Sequence, residues 1–306
     1  DALVSTHNFI VTGGCGFIGS HLVEALVLHD QNVLVVDDMS RGKHLCEHKR
    51  VKYLHQEVQK VIPSGTFDAI FHLAATPRIR LSQEHPYHTI SNNISSTTAV
   101  CEWARRMDIP LFFAASSSTQ FIDRMQNPYT FSKDVCDDIL ELYRKLYGIK
   151  YHVLHFYNVY GPREADYSQY STVIRSFKKC IEKNEPLRIF GSGKKERDFT
   201  HVFDVIDGIM KLLTEKRKPQ DIHLGSGDPR SISEIADAFD HPVIYEFDRR
   251  GEADRTICDE PYIEPEYDVV QYCKEWKNNF LLEKTMKKTE QEFKEIEERH
   301  AKIDSR

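Results

Sequence analysis

The stretch from Phe9 to Leu28 constrains this chain more than any other. Phe9 to Thr12 is a short apolar run, Gly13-Gly14-Cys15-Gly16-Phe17-Ile18-Gly19 is a glycine-rich turn, and Ser20 to Leu28 has helical character. In a strand-turn-helix unit of this kind the first glycine permits the tight turn. The second lets a ligand approach the backbone, and the third seats the helix on the strand. The free N–H groups and dipole at the helix start suit a phosphate. Asp37 closes the next apolar run, Val33 to Val36, where the ribose of a dinucleotide would lie. A carboxylate there accepts from the 2'-hydroxyl of NAD and repels the 2'-phosphate of NADP. The predicted cofactor is therefore NAD, held by Gly13, Gly16, Phe17, Ile18, Gly19 and Asp37. Arg41, four residues on, is the one nearby cation that works against that preference.

The same alternation of short apolar and longer amphipathic runs continues through the first half. Phe9–Val11, Val33–Val36, Ala69–Leu73, Leu111–Ala115 and His152–Phe156 read as buried parallel strands. Ser20–Leu28, Tyr87–Arg106 and Tyr129–Tyr147 read as the helices between them, which predicts an α/β, Rossmann-type doubly wound parallel sheet. In the last of these helices Asn127 is the N-cap, Pro128 the first helical residue and Gly148 the left-handed stop. Phe131, Val135, Ile139, Tyr143 and Leu146 recur at helical spacing and predict its core face. After Gly161 glycine and proline punctuation increases, at Gly191, Gly193, Gly225, Gly227 and Pro229. The expected division is a cofactor domain over 1–160 and a smaller α/β substrate domain over 161–306, with the chain returning to the first around 200–215. Glu283–Arg306, dense in Lys and Glu, reads as a solvated terminal helix.

Composition removes several other classes of function. A formal net charge of -6 leaves no electrostatic footprint for nucleic acid or an anionic membrane. No apolar run reaches the ~18 residues of a membrane span, and Asp1 to Asn8 lacks a signal-peptide profile, although Asp1 in place of Met leaves room for a removed leader. The 7 cysteines are scattered and form no C-x-x-C pair, which predicts a reducing, cytoplasmic setting. His44, Cys46 and His48 have ligand-like spacing without an obvious fourth ligand, so no metal is predicted.

Tyr129 and Lys133 are four residues apart and share one helix face. A phenol with a pKa of about 10 is a poor base at neutral pH. A lysine ammonium ~4 to 5 Å away favours the phenolate by roughly 3 to 4 kcal/mol at an effective dielectric near 20, or about two to three pKa units. Tyr129 so placed can move a proton near neutral pH.

Taken together, several segments resemble the extended short-chain dehydrogenases that act on nucleotide sugars, a family of epimerases, dehydratases and decarboxylases. They are Thr12-Gly13-Gly14-x-Gly16-Phe17-Ile18-Gly19, Phe71-His72-Leu73-Ala74-Ala75, Ser116-Ser117-Ser118, Pro128-Tyr129-x-x-Ser132-Lys133, Asn158-Val159-Tyr160-Gly161-Pro162 and Arg197-Asp198-Phe199-Thr200-His201-Val202. The resemblance covers nearly the whole chain and is closest to the UDP-sugar 4-epimerases. It implies a permanently held NAD that also touches Leu73, Ala74, Ala75, Tyr129 and Lys133. It implies a catalytic set of Ser117, Tyr129 and Lys133, with Ser117 on the sugar O4. Asn93 falls near the active-site helix and Asn158, Arg197 and Arg249 on the nucleotide diphosphate, all four as substrate-binding positions, the arginines suiting a pyrophosphate. Thr256 falls where a bulky residue excludes N-acetyl groups in some 4-epimerases. The resemblance further implies a homodimer through Tyr87–Arg106 and Tyr129–Tyr147.

The family's dehydratases carry an Asp-Glu pair beside the hydroxyl residue, and its decarboxylases carry a Glu. Here Ser118 and Thr119 stand in those places, so proton abstraction at C5 has no obvious agent. The expected reaction is 4-epimerisation, interconverting UDP-Glc(NAc) and UDP-Gal(NAc), with dehydratase, decarboxylase or 4-ketoreductase chemistry, or a non-catalytic NAD-binding protein on the same fold, as the alternatives. The eleven residues between Ser117 and Tyr129 form a shorter segment than the family's usual substrate loop, and Phe121-Ile122 replaces its common Tyr-Gly.

Overall fold

The computed structural model describes residues 5–77, 79–116, 121, 123–164, 171–248 and 253–304. Its centre is a seven-stranded sheet in which every pairing is parallel. The strands are β1 (Asn8–Thr12), β2 (Asn32–Val36), β3 (Val51–Leu54), β4 (Ala69–His72), β5 (Leu111–Ser116), β6 (Tyr151–Phe156) and β9 (Asp221–Leu224). Their order is β3-β2-β1-β4-β5-β6-β9, so the chain reverses its direction of travel between β1 and β4. A crevice at the carboxyl ends of the strands opens at such a switch point, where doubly wound folds bind their ligands.

Both faces of the sheet are covered, because successive strand residues are apolar on opposite sides. Phe9, Val11, Val33, Val35 and Phe71 pack on one face with α1 (Phe17–Leu28) and α6 (Val202–Thr214). Ile10, Val36, Ile70, Leu111 and Phe113 pack on the other with α3 (Pro86–Met107) and α4 (Pro128–Tyr147). The return through α6 to β9 brings residues after 200 back onto the first half of the chain. A third cluster joins Phe177 of α5 (Val173–Glu182), Leu187 and Ile189 of β7 (Leu187–Phe190) and Phe239 of α7 (Ile232–Phe239). It also takes in Val269 and Cys273 of α8 (Val269–Asp304). Beside this cluster run a parallel pair of β7 with β11 (Val243–Glu246) and a three-stranded sheet, β10 (Pro229–Ser231), β8 (Glu196–Asp198) and β12 (Arg255–Thr256). The last helix leaves the core after Phe280, and Leu282 and Met286 are exposed. Among the described residues no helix is long and apolar enough to cross a membrane.

Two expectations about local structure need correction. β3 is absent from the sequence reading because it is a short edge strand, half-buried on one face and exposed on the other, with too little apolar signal. In α4 the ends are as expected: Asn127 Oδ1 accepts from Thr130 N at 2.8 Å, and Gly148 closes the helix at φ +70°. Its core face is so only in part. Ser132, Lys133, Cys136 and Leu140 are buried, Ile139 and Tyr143 are half-buried and pack against the core of the sheet, Phe131 and Val135 are half-buried, and Leu146 is exposed. Polar pairing drives this choice. Asn93 of α3 donates to Ser132 Oγ at 2.9 Å and Thr97 donates to Cys136 Sγ at 3.2 Å, so α3 and α4 meet through small polar side chains.

Candidate active site

The crevice is a cleft of about 840 Å³ that runs from the glycine turn, past Tyr129 and Lys133, to Asn158, Arg197 and Thr256. At its first end Gly13 takes φ +70°, and a Cβ on it would stand 2.7 Å from Ala74 N, so β1 and β4 approach as closely as they do because this residue has no side chain. A Cβ on Gly19 would fall 2.1 Å from the carbonyl oxygen of Gly13, which seats α1 directly on the turn. Gly16 is the N-cap of α1 and supplies no side-chain cap, and the first turn carries no acidic residue. The amides of the first turn therefore face the cleft without a competing carboxylate, as a pyrophosphate requires.

Asp37 lies at the end of β2 on the same wall, 9% exposed. Its carboxylate accepts from Cys15 N at 3.0 Å and from Met39 N at 2.8 Å. Burial raises its pKa above the ordinary value, and the two amides oppose that shift. Each carboxylate oxygen has a second lone pair that a ribose hydroxyl can engage. Leu73, Ala74 and Ala75 line the next stretch of the wall. A cradle that any Cβ would fill, an uncapped helix start and a half-satisfied acid together fit a dinucleotide such as NAD.

Lys133 is 4% exposed, and its ammonium donates to Ala114 O at 2.8 Å and stands 4.0 Å from the Phe113 ring centre. Burial lowers its pKa from the ordinary lysine value. Tyr129, one turn earlier, is 8% exposed and lines the cleft. Its backbone N donates to Ser82 Oγ at 3.0 Å and its carbonyl accepts from Ser132 Oγ at 2.8 Å, which fix the start of α4. His72, beneath them, is 2% exposed and hydrogen-bonded to Thr12 Oγ1 at 2.7 Å. Burial, with a smaller contribution from the Lys133 charge, pushes its pKa down to about 3. It is a neutral packed histidine rather than an acid or base.

At the far end Asn158 takes φ +33°, a conformation asparagine tolerates better than most residues, and its amide donates to Asp198 O at 2.9 Å and Thr256 Oγ1 at 3.2 Å. Thr256, 4% exposed, pairs in register with Arg197, whose guanidinium donates to Glu196 O at 2.8 Å. One residue that sequence reasoning assigned no role holds this corner together. The fully buried Asp198 carboxylate accepts from Ser226 N, Ser226 Oγ, Gly227 N and Cys258 N at 2.6 to 2.9 Å.

Asn93 stands beside the active-site helix, as the resemblance implies, but does not line the cleft. It is 2% exposed, and its amide is spent on Ser132 Oγ and on the Thr76 backbone, N at 2.7 Å and O at 3.3 Å. Asn93 braces α3, α4 and the segment after β4, while its neighbour Asn92 is the one on the wall. Ser117, Ser118, Thr119 and Arg249 lie outside the described residues. Glu57 and Val58, just after β3, and Thr76, Arg80 and Lys195 also line the cleft without having been singled out. The pair after β3 was hidden because that strand was.

Residues 9–225 match the NAD dependent epimerase/dehydratase family. The chain belongs to that family. Its cofactor is accordingly NAD, as the glycine turn and Asp37 imply. A putative UDP-glucose 4-epimerase of Methanocaldococcus jannaschii is 28% identical, over 82% of this chain and 89% of the relative. A UDP-N-acetyl-alpha-D-glucosaminuronate decarboxylase of Bacillus cytotoxicus is 29% identical, over 74% of this chain and 77% of the relative. Among solved structures, the UDP-N-acetylglucosamine 4-epimerase of Methanobrevibacter ruminantium in complex with UDP-N-acetylmuramic acid superposes with a TM-score of 0.81 at 25% identity, covering 92% of this chain and 100% of that one. Epimerases and a decarboxylase thus stand at similar distances, and the chain is an enzyme of a family whose members differ in reaction.

Proposed function

We propose that this protein is a nucleotide-sugar 4-epimerase that interconverts gluco and galacto forms of a UDP-sugar, UDP-Glc(NAc) and UDP-Gal(NAc). The observation that carries this reading is the continuity of one cleft, with a dinucleotide cradle at one end, Tyr129 and Lys133 at its middle, and Arg197 with Asn158 at the other. In this reading residues 1–160 hold the cofactor, and 161–306, apart from the return through α6 and β9, hold the substrate. NAD, when bound, supplies a reversible hydride acceptor for C4 of the sugar and is not consumed. Tyr129 removes the O4 proton and later returns it to the ketone oxygen. Lys133 favours the phenolate during that exchange, and Ser117 holds O4. Arg197 and Arg249 meet the diphosphate, whose paired oxygens suit a guanidinium fork.

The absence of a carboxylate at Ser118 and Thr119 favours epimerisation over the decarboxylation performed by the Bacillus cytotoxicus relative. A panel of UDP, dTDP, GDP and CDP sugars, with products identified by NMR, tests the assignment. Interconversion of gluco and galacto UDP-sugars is expected. Release of a keto sugar or a decarboxylated product would overturn it. In the same panel Thr256→Tyr should selectively lose N-acetyl substrates, because a large ring would fill the space beside Asn158.

The half-buried Phe131 and Val135, continued by Leu142 at 51% and Leu146 at 63% exposure, support a homodimer in which α3 and α4 of two copies form a four-helix bundle. Light scattering should give twice the 35.6 kDa chain mass, and Leu142→Asp should give the monomer. An unchanged mass for the variant would place the interface elsewhere. The 7 cysteines, none in a disulfide, are in keeping with a reducing, cytoplasmic setting.

A further inference from the structure

We propose that Asp137 is a positioning residue for the proton transfer: its carboxylate, one helical turn beyond Lys133, keeps that lysine in the charged form that supports the Tyr129 phenolate. This rests on the reading of Tyr129 and Lys133 as the acid-base pair and adds a third member to their row.

Tyr129, Lys133 and Asp137 follow one another at intervals of four along α4, so they share one helix face. The start of that face is anchored by Tyr129 N, which donates to Ser82 Oγ of the short helix α2 (Ile79–Glu84) at 3.0 Å. Lys133 is buried against β5, where its ammonium donates to Ala114 O at 2.8 Å. Burial disfavours the charged form, and the groups that oppose this are Cys136 and Asp137. Cys136 brings no charge near neutral pH, because burial raises the pKa of its thiol, which donates to Asn93 O at 3.4 Å. The anion that steadies Lys133 is therefore the Asp137 carboxylate. Its influence runs through space, without a hydrogen bond between the two side chains.

Asp137 differs from the acids on either side of it. Asp134 pairs with Arg124 at 2.5 Å, and Asp138, 74% exposed, lies 3.8 Å from the same guanidinium. Asp137 Oδ1 is shielded from water and has no hydrogen-bond partner among the described residues. Burial pushes the Asp137 pKa up to about 6; Lys133 pulls against that rise, and Asp134, Asp221 and Asp138 add to it. From β6, Tyr151 and His155 face the same group of charges. Burial raises the Tyr151 pKa to about 12 and lowers that of His155, which pairs with Asp221 at 2.8 Å, so both are neutral near neutral pH. Because its pKa is raised in the folded protein, ionising Asp137 lowers stability as the pH climbs from the ordinary 3.8 to about 6, and the loss persists above that range. A carboxylate that works against the fold at neutral pH, one turn from Lys133, points to a role in the chemistry.

The test titrates Lys133 itself. In the NAD-loaded enzyme, carbon-13 NMR of lysine labelled at Cε, with Lys133→Met to identify the resonance, should show the Lys133 pKa fall by about one unit in Asp137→Asn and stay near the wild-type value in Asp137→Glu. The alkaline limb of kcat for interconversion of UDP-glucose and UDP-galactose should move to lower pH by the same amount. The acid limb, set by Tyr129 two turns from Asp137, should stay in place. At neutral pH Asp137→Asn should melt no earlier than the wild type, and the difference should vanish below about pH 4, where the wild-type carboxyl is also uncharged. Asp138→Asn, which alters an exposed carboxylate, should leave the Lys133 titration and the alkaline limb where they are. An unchanged Lys133 pKa in Asp137→Asn overturns the proposal, and so does an equal fall in Asp137→Glu, which would remove charge as the cause. An Asp137→Asn protein that melts earlier than the wild type at neutral pH also overturns it, by making the carboxylate a support of the fold. The NMR titration requires no turnover, so it separates failure of this role for Asp137 from failure of the epimerase assignment.

Discussion

Tyr129→Phe is expected to lower turnover by about a thousandfold while leaving the fold and the binding of NAD and sugar nucleotide in place. The substitution removes one hydroxyl and keeps the ring, which is 8% exposed. The contacts that fix the start of α4 are made by the backbone of residue 129, to Ser82 and from Ser132, and survive the change. What is lost is the group that moves the O4 proton, and positioned acid-base groups contribute about 10² to 10⁴ in rate. Coupled turnover assays with thermal unfolding and calorimetric titration on the same preparations separate the chemical effect from a structural one. Turnover within tenfold of wild type would remove Tyr129 from the acid-base role. A wild type as inactive as the variant on every nucleotide sugar would point to a protein that holds NAD without turning substrate over.

The parts of this site that were legible in the sequence are those fixed by backbone geometry or by spacing along one element. Gly13, Gly16 and Gly19 declare themselves because only glycine fits the turn, and Tyr129 and Lys133 because i and i+4 share a helix face. The core strands were legible for the same kind of reason, since a strand covered on both faces must be apolar at every position. β3 and β9, the two edge strands, were not, because an edge strand with one more exposed face carries half the signal. The buried face of α4 was legible only in part, through Ile139 and Tyr143, because helical periodicity measures apolar side chains. The contact with α3 is made by Ser132, Cys136 and Asn93, whose hydrogen bonds satisfy one another. That same contact holds Asn93 beside α4 and off the wall of the cleft. Arg80, His88 and Asn92, which line the cleft, are a third case. They come from two helices, and sequence does not say that the six-residue helix Ile79–Glu84 folds over the start of α4.

Gly19→Ala should cost the protein its NAD and part of its stability together. Glycine within the first turn of an exposed helix is ordinarily worth replacing, since alanine gains about 1 kcal/mol in helix propensity. Here the new Cβ would stand 2.1 Å from Gly13 O and 2.9 Å from both Gly13 C and Gly14 Cα. All three atoms belong to the backbone of the turn, so no side chain can swing aside. Either α1 lifts from the turn or the turn opens, and both movements misplace the amides that would meet the pyrophosphate. Overpacking of this kind costs about 1 to 3 kcal/mol. For a chain of this size that corresponds to a fall of roughly 2 to 6 °C in Tm. Gly148→Ala provides the contrast. That glycine also sits at φ +70°, but a Cβ on it meets nothing within 4 Å, and it lies at the far end of α4. The strain of a left-handed alanine should cost about 1 kcal/mol there without touching the cleft. NAD content, read by absorbance after denaturation, should therefore fall in Gly19→Ala and persist in Gly148→Ala, although both variants melt earlier than the wild type. A Gly19→Ala protein that retained full NAD would mean that the cofactor does not rest on this turn, because no arrangement of the observed backbone accommodates both the methyl group and an unaltered cradle.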